Sequence, residues 1–214
     1  MIKQIILCGS PNFLNNIAAR ITSIFMNILL LRIGGAMAVS VYGILMFADG
    51  FVQPLLYGMC DSLQPSIGYN WGARDYSRVK AIVKRCFIAS FLLSIVSVIV
   101  IVVFPEQLVH LFTTDSDGAL IEMAKTALLL FSVTYLTRWF SFATQSFMSA
   151  IEQSIYASII SVSTALLLPI VIVVILWPMG LNGIWLNMSV TALLAAILSI
   201  IFLMRFKKQF KKQN

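Results

Sequence analysis

Charge is scarce in this chain. Asp, Glu, Lys and Arg make up only 11% of its 214 residues, against 60% hydrophobic residues, and the mean hydropathy is +0.95. A soluble domain carries about 25% charged residues to keep its surface wet. So few charges exclude a chain covered by water, and lipid is the expected solvent. Histidine is scarcer still. His110 stands alone in a polar loop without other ligand types, which fits a solvated loop residue better than a metal site. The three cysteines, Cys8, Cys60 and Cys86, have neither metal spacing nor an extracellular pairing partner, so free thiols are expected. With no phosphate-binding loop and no recognisable nucleophile and base pair, neither an enzyme nor a bound cofactor is expected. The N-terminal apolar run has no small-residue cleavage site and leads into further apolar runs, so it reads as a span rather than a cleaved signal.

What is present is length in apolar runs. A helix needs about 20 mostly apolar residues to cross a hydrocarbon core. Six such stretches are expected, at residues 9–32, 36–66, 81–104, 119–148, 154–177 and 182–205, within a single membrane domain covering 1–214. The runs are continuous and do not alternate, which selects helices over barrel strands and an all-α fold.

The net charge of +7 is unevenly placed. With a cytoplasmic N-terminus, Lys3, the cluster Arg74, Arg78, Lys80, Lys84 and Arg85, and the tail Arg205, Lys207, Lys208, Lys211 and Lys212 fall inside, eleven of the fifteen cations. The segment 105–122 falls outside with four acids and no Lys or Arg. This is the positive-inside distribution and predicts a multi-pass cell-membrane protein with both termini cytoplasmic. A basic tail beside a span suits anionic lipid headgroups, so the bilayer rather than nucleic acid is the expected partner of "RFKKQFKKQN". Residues 73–85 are expected to form a short basic helix on the inner surface, after Pro65 and Gly68 end or bend the second span and Gly72 makes a turn.

Ionisable groups at membrane depth cost roughly 2.5–3.5 kcal/mol each on insertion scales, which makes them candidates for function. Four stand out: Arg20 and Asp49 near the middle of the first two spans, Asp61 towards the inner side, and Arg138 in "YLTRWFSF" of the fourth span. Adjacent antiparallel spans put Arg20 and Asp49 at similar depth, so an Arg20–Asp49 ion pair is expected. The four groups form either a neutralised packing network or a set in which one carboxylate takes up a proton during transport. Asn12, Asn15, Asn16, Thr22, Asn27 and Gln53 either line a cavity or hydrogen-bond between helices. Pro54 and Pro169 suggest kinked helices, and the many Met and Phe residues suit core and lipid contacts or the walls of a site for lipophilic cations.

The stretch "LQPSIGYNWGARDYSRVK" resembles a signature of the multidrug and toxic compound extrusion (MATE) family at Gln64, Pro65, Gly68, Tyr69, Asn70, Gly72, Ala73, Arg78 and Val79. "NILLLRIGGAMAVSVYGI" (27–44) and "LNGIW" (181–185) are also similar to that family. The resemblance implies one lobe of six helices, the C-terminal one, from a twelve-helix transporter whose two lobes are related by a pseudo-two-fold axis. It implies export of lipophilic or cationic compounds against protons or sodium ions by alternating access, together with a complementary N-terminal lobe or a homodimer partner. The alternative is a non-transporting truncated remnant or an interaction subunit. Many members place the proton-linked carboxylate in the first lobe, and the sodium-type branch uses acids in the first and fourth helices of the second. Here the first span has no acid and the fourth has only Glu122, at its margin. The resemblance therefore assigns no site to the coupling ion.

Overall fold

A computed structural model describes the backbone of residues 2–111 and 118–213, and the side chains of 13–111 and 118–208. Lys3, Cys8, Asn12, Lys211 and Lys212, named above, have side chains outside the described residues. Every regular element described is helical. The first, α1 (Ile2–Ser62), is one continuous helical run except at Gly35, whose φ of 66° and ψ of −163° are not helical. Only glycine adopts such a φ without strain. There the chain folds back, so that Asn15 Nδ2 of the first arm donates to Tyr57 Oη of the second at 2.9 Å. Then follow α2 (Gln64–Gly72), α3 (Tyr76–Val103), the short α4 (Pro105–His110) and α5 (Gly118–Ala150). Helix α6 (Ser154–Val162) passes through a π-helical turn (Ser163–Leu167) into α7 (Leu168–Leu176), and a 3-10 turn (Trp177–Met179) leads to α8 (Gly180–Gln213).

Four helical stretches are long and apolar enough to cross a membrane: 13–72, 76–103, 118–150 and 154–208. The first and last each contain a reversal, at Gly35 and at Gly180 (φ 59°). The two reversals meet: a Cβ on Gly34 would stand 2.8 Å from Leu181 Cδ2. Gly183 is needed for close approach as well, since a Cβ there would run into the carbonyl oxygen of Leu176. The "IGGA" and "LNGIW" segments thus form one end of the bundle.

The opposite end is built from two connectors of the same design. After α2, the amides of Ala73, Arg74 and Asp75 donate to the carbonyls of Tyr69, Trp71 and Asn70, with Arg74 at φ 60°. After α5, Ile151, Glu152 and Gln153 donate to Phe147, Ser149 and Met148, with Glu152 at φ 61°. These bonds satisfy the orphan carbonyls of a helix C-terminus through one residue in the left-handed region. Ile67, Val79, Met148, Ile151 and Ala157 pack the two connectors together.

Several expectations are corrected here. The left-handed residue of the first connector is Arg74, not Gly72, which is the last residue of α2. The expected break at Pro65 is present, since α1 ends at Ser62 and α2 starts at Gln64, with Pro65 in its first turn where its missing N–H has no intrahelical partner to lose; Gly68, by contrast, lies within α2. The basic segment 73–85 is no separate surface helix, because α3 starts at Tyr76, capped by Asp75 Oδ1 accepting from Arg78 N at 3.0 Å, and runs unbroken to Val103. Helix α1 continues through Pro54, whereas Pro169 stands in the first turn of α7, one residue beyond the π-turn.

Helix α5 lies at the centre, against α1, α3, α6 and α8. Helices in lipid gain nothing from burying apolar surface against one another, so small residues that permit close approach take over. On α3 the buried stripe is Cys86, Ser90, Ser94, Ser97 and Ile101. The larger core, with Leu30, Val41, Leu45, Phe131, Tyr135 and Trp185, fills the space between α1, α5 and α8. Large apolar side chains cover the exterior, among them Ile24, Phe51, Val96, Val174 and Met204.

Candidate functional site

The second arm of α1 buries a helical stripe of Ala38, Val41, Leu45, Ala48, Leu56 and Cys60, and Asp49 falls on it. On α5, Phe131, Tyr135 and Phe142 are buried at helical spacing, and Arg138 lies on the same face. Where the two faces meet, Arg138 Nη1 donates to Asp49 Oδ1 at 2.8 Å. Tyr135 Oη donates to the same oxygen, also at 2.8 Å. Among the described residues Oδ2 receives no protein donor. The Arg138 guanidinium carbon is 5.1 Å from the centroid of the Phe142 ring, which stacks on Tyr57 at 4.2 Å. The charge of Arg138 is thus held between a carboxylate and an aromatic face.

This overturns the expected Arg20–Asp49 pair. Position 20 lies at a plausible depth but two residues from both Ala18 and Thr22, the buried residues nearest it on its arm. Two residues turn a helix by about 200°, so Arg20 stays out of the contact between α1 and α5 and is exposed, facing the open space between the arms of α1. Nor do two acids match two arginines: Asp61 Oδ1 accepts from Gln64 Nε2 at 2.6 Å, and the same amide donates to Ser146 Oγ at 3.1 Å. The sequence pattern does not single out Tyr135, Tyr57 or Phe142, which the fold brings to the pair. Only Tyr135 has a local signal, since a residue three before Arg138 shares its helix face.

Two spaces that share lining residues adjoin Asp49. An inner cavity of about 130 Å³ reaches Thr22, Thr164, Ala165 and Pro169. A groove of about 590 Å³ between the arms of α1 is lined by Asn16, Arg20, Gln53 and Asp61 among others. Asp49, Gln53 and Tyr57 line both. Of the polar residues of the first span, Asn15 and Thr22 make bonds between helices, the latter to the Ala165 carbonyl in the π-turn. Asn27 bonds within its own helix to Ser23 O. Asn16 is exposed along the groove. Of the signature residues, Gln64 anchors Asp61, Gly68 leaves room for the Ala150 carbonyl, Asn70 closes the connector and Val79 packs it, while Tyr69 is exposed. On the far side, Glu122 and Glu106 share Lys125 at 3.0 and 3.2 Å, and His110 lies 4.0 Å from Glu106.

The MatE family model matches residues 11–175, more than half of the chain and all of this site. The chain belongs to the MatE family. It is 26% identical over 207 residues to the multidrug export protein MepA of Staphylococcus aureus strain MSSA476, a match covering 96% of this chain and 45% of that protein. To MepA of the bovine strain RF122 / ET3-1 it is 28% identical over 211 residues, with the same coverage. The crystal structure of a MATE protein in complex with MaL6 superposes with a TM-score of 0.90 at 20% identity, over 98% of this chain and 48% of the other. A MOP superfamily transporter from Pyrococcus furiosus superposes at 0.87, with 21% identity, over 95% of this chain and 46% of the other. The all-α membrane fold of this MatE chain is therefore that of known transporters. The chain spans about half the length of the curated relatives it matches.

Proposed function

We propose that this chain is one lobe, the C-terminal one, of a secondary exporter that moves lipophilic or cationic compounds out of the cell in exchange for protons or sodium ions. It works by alternating access with a complementary lobe or a second copy, and needs no catalytic chemistry. The observation that carries this is the groove at Asp49: an open space of about 590 Å³ lined by Asn16, Arg20, Asp49, Gln53 and Asp61, on a chain matched over 45% of a multidrug exporter. Polar groups facing lipid without partners are costly, so such a groove calls for a second wall.

Asp49 is the proposed coupling group. A proton on its Oδ2 would remove the counter-charge of Arg138 and weaken the Oδ1 bonds that join α1 to α5. That gives a link between two packed helices with a bonded and a loosened state, the kind of element that rocking transport requires. In this proposal both termini and the two connectors lie in the cytoplasm, as the positive-inside distribution of cations requires. In support, Trp71 before the first connector contacts Phe206 of α8 at 5.8 Å, which brings the basic cluster of α3 and the basic end of α8 to one end of the bundle.

Ethidium efflux in cells lacking their own exporters tests the reading, with the chain alone and with a complementary lobe, under imposed proton and sodium gradients. Efflux is expected only with the second lobe and only with wild-type Asp49. A monomer that exports dye by itself in liposomes would overturn the half-transporter reading. A chain inactive with every partner lobe would be the non-transporting remnant.

A further inference from the structure

Away from the Asp49 site, α3 and α5 leave a groove of about 430 Å³ on the outside of the bundle, near the first connector. Two rows of α3 residues at four-residue spacing form most of it. Val79, Val83 and Phe87 make the inner row, and Lys80, Lys84 and Ile88 the outer, with Phe147 of α5 as the opposite wall. The outer row changes character along its length, from two exposed lysines at the connector end to Ile88, 49% exposed, towards the middle of the helix. At 1.5 Å per residue, charge and hydrocarbon are spread over about 12 Å of wall.

We propose that this groove binds one anionic phospholipid of the surrounding bilayer, with its phosphate between Lys80 and Lys84 and an acyl chain along Val83, Phe87 and Ile88. Charge complementarity selects that occupant. Among the described residues neither lysine forms an ion pair, and Asp75, the acid closest to them in sequence, is engaged as the cap of α3. The order of polarity along the groove, cation first and hydrocarbon after, is the order of a phospholipid entering from the membrane surface. A soluble anion would leave the apolar part of the groove, along Val83, Phe87, Ile88 and Phe147, empty. Phe147 also contacts Phe206 at 6.1 Å, so a lipid seated here lies beside the junction of the connector with the end of α8.

The test is native mass spectrometry of the full chain, released in mild detergent from vesicles of equal phosphatidylglycerol and phosphatidylcholine. Wild type should retain phosphatidylglycerol in preference. Lys80→Gln/Lys84→Gln should lower the retained ratio of anionic to zwitterionic lipid roughly tenfold or more. Lys207→Gln/Lys208→Gln removes the same charge from the exposed end of α8 and should leave most of the preference. Val83→Trp, which fills the groove, should reduce retention of both lipids while both lysines remain. Equal losses in the two lysine pairs would show diffuse attraction to a basic surface and overturn the proposal, as would retention unchanged in Val83→Trp.

Discussion

Asp49 and Arg138 stand 89 residues apart in the chain and 2.8 Å apart in the fold, joined through one carboxylate oxygen that Tyr135 also reaches. The pair ties the second arm of α1 to the central helix α5. It makes one neutral unit of two groups that would each be costly alone in a membrane.

Removing one partner should therefore hurt more than removing both. Asp49→Asn strands the Arg138 guanidinium and is expected to destabilise by about 3 kcal/mol, whereas Asp49→Asn/Arg138→Gln should lose clearly less. Thermal unfolding in detergent measures both. Arg20→Gln should leave the unfolding temperature unchanged, because that side chain is exposed in the groove and Asp49 pairs with Arg138 instead.

Tyr135→Phe deletes one hydrogen bond to an ionised acceptor and keeps the packing. A loss of about 1.5 kcal/mol is expected. Combined with Asp49→Asn it should be clearly less than additive, since the bond it removes is made to Asp49 itself. Full additivity in the double mutant would mean that the two do not share an interaction.

The reversal at Gly35 makes a sharp prediction because no neighbour obstructs a Cβ there: only the backbone angle forbids a side chain. Gly35→Ala should cost about 1–2 kcal/mol through the positive φ alone. Gly43→Ala, also unobstructed but with no positive φ, should be neutral or slightly stabilising.

Arg74 and Glu152 pose the opposite case, as side chains held at φ near 60°. Arg74→Gly and Glu152→Gly should each stabilise by on the order of 1 kcal/mol. A drop in stability for either would show that its side chain holds the connector in a way that outweighs the backbone strain.

For topology, cysteines introduced at Arg78 and Lys207, with the three native cysteines replaced, should react with an impermeant maleimide only from the cytoplasmic side. Labelling of either from outside intact cells would reverse the proposed orientation.

Membrane embedding, helical class and the MATE-type resemblance follow from local properties, and local properties are what a sequence displays. Charge scarcity and continuous apolar runs exclude a water-covered fold, and the gaps between the expected spans at 32–36 and 177–182 hold the glycines, 35 and 180, at which the structure reverses. Val79 and the Gln64–Ala73 segment carried the resemblance for a local reason too, since each closes or packs a connector. The partner of Asp49 was not local. Depth in the membrane can be counted along a helix, but the direction a side chain faces depends on which neighbour packs against that face. Arg20 and Arg138 both lie at plausible depth, and only the docking of α5 against the second arm of α1 turns Arg138 inward onto Asp49. The same holds for Lys80 and Lys84: the sequence shows two cations on one helix, and Phe147, brought from α5 by tertiary packing, makes the surface beside them a groove.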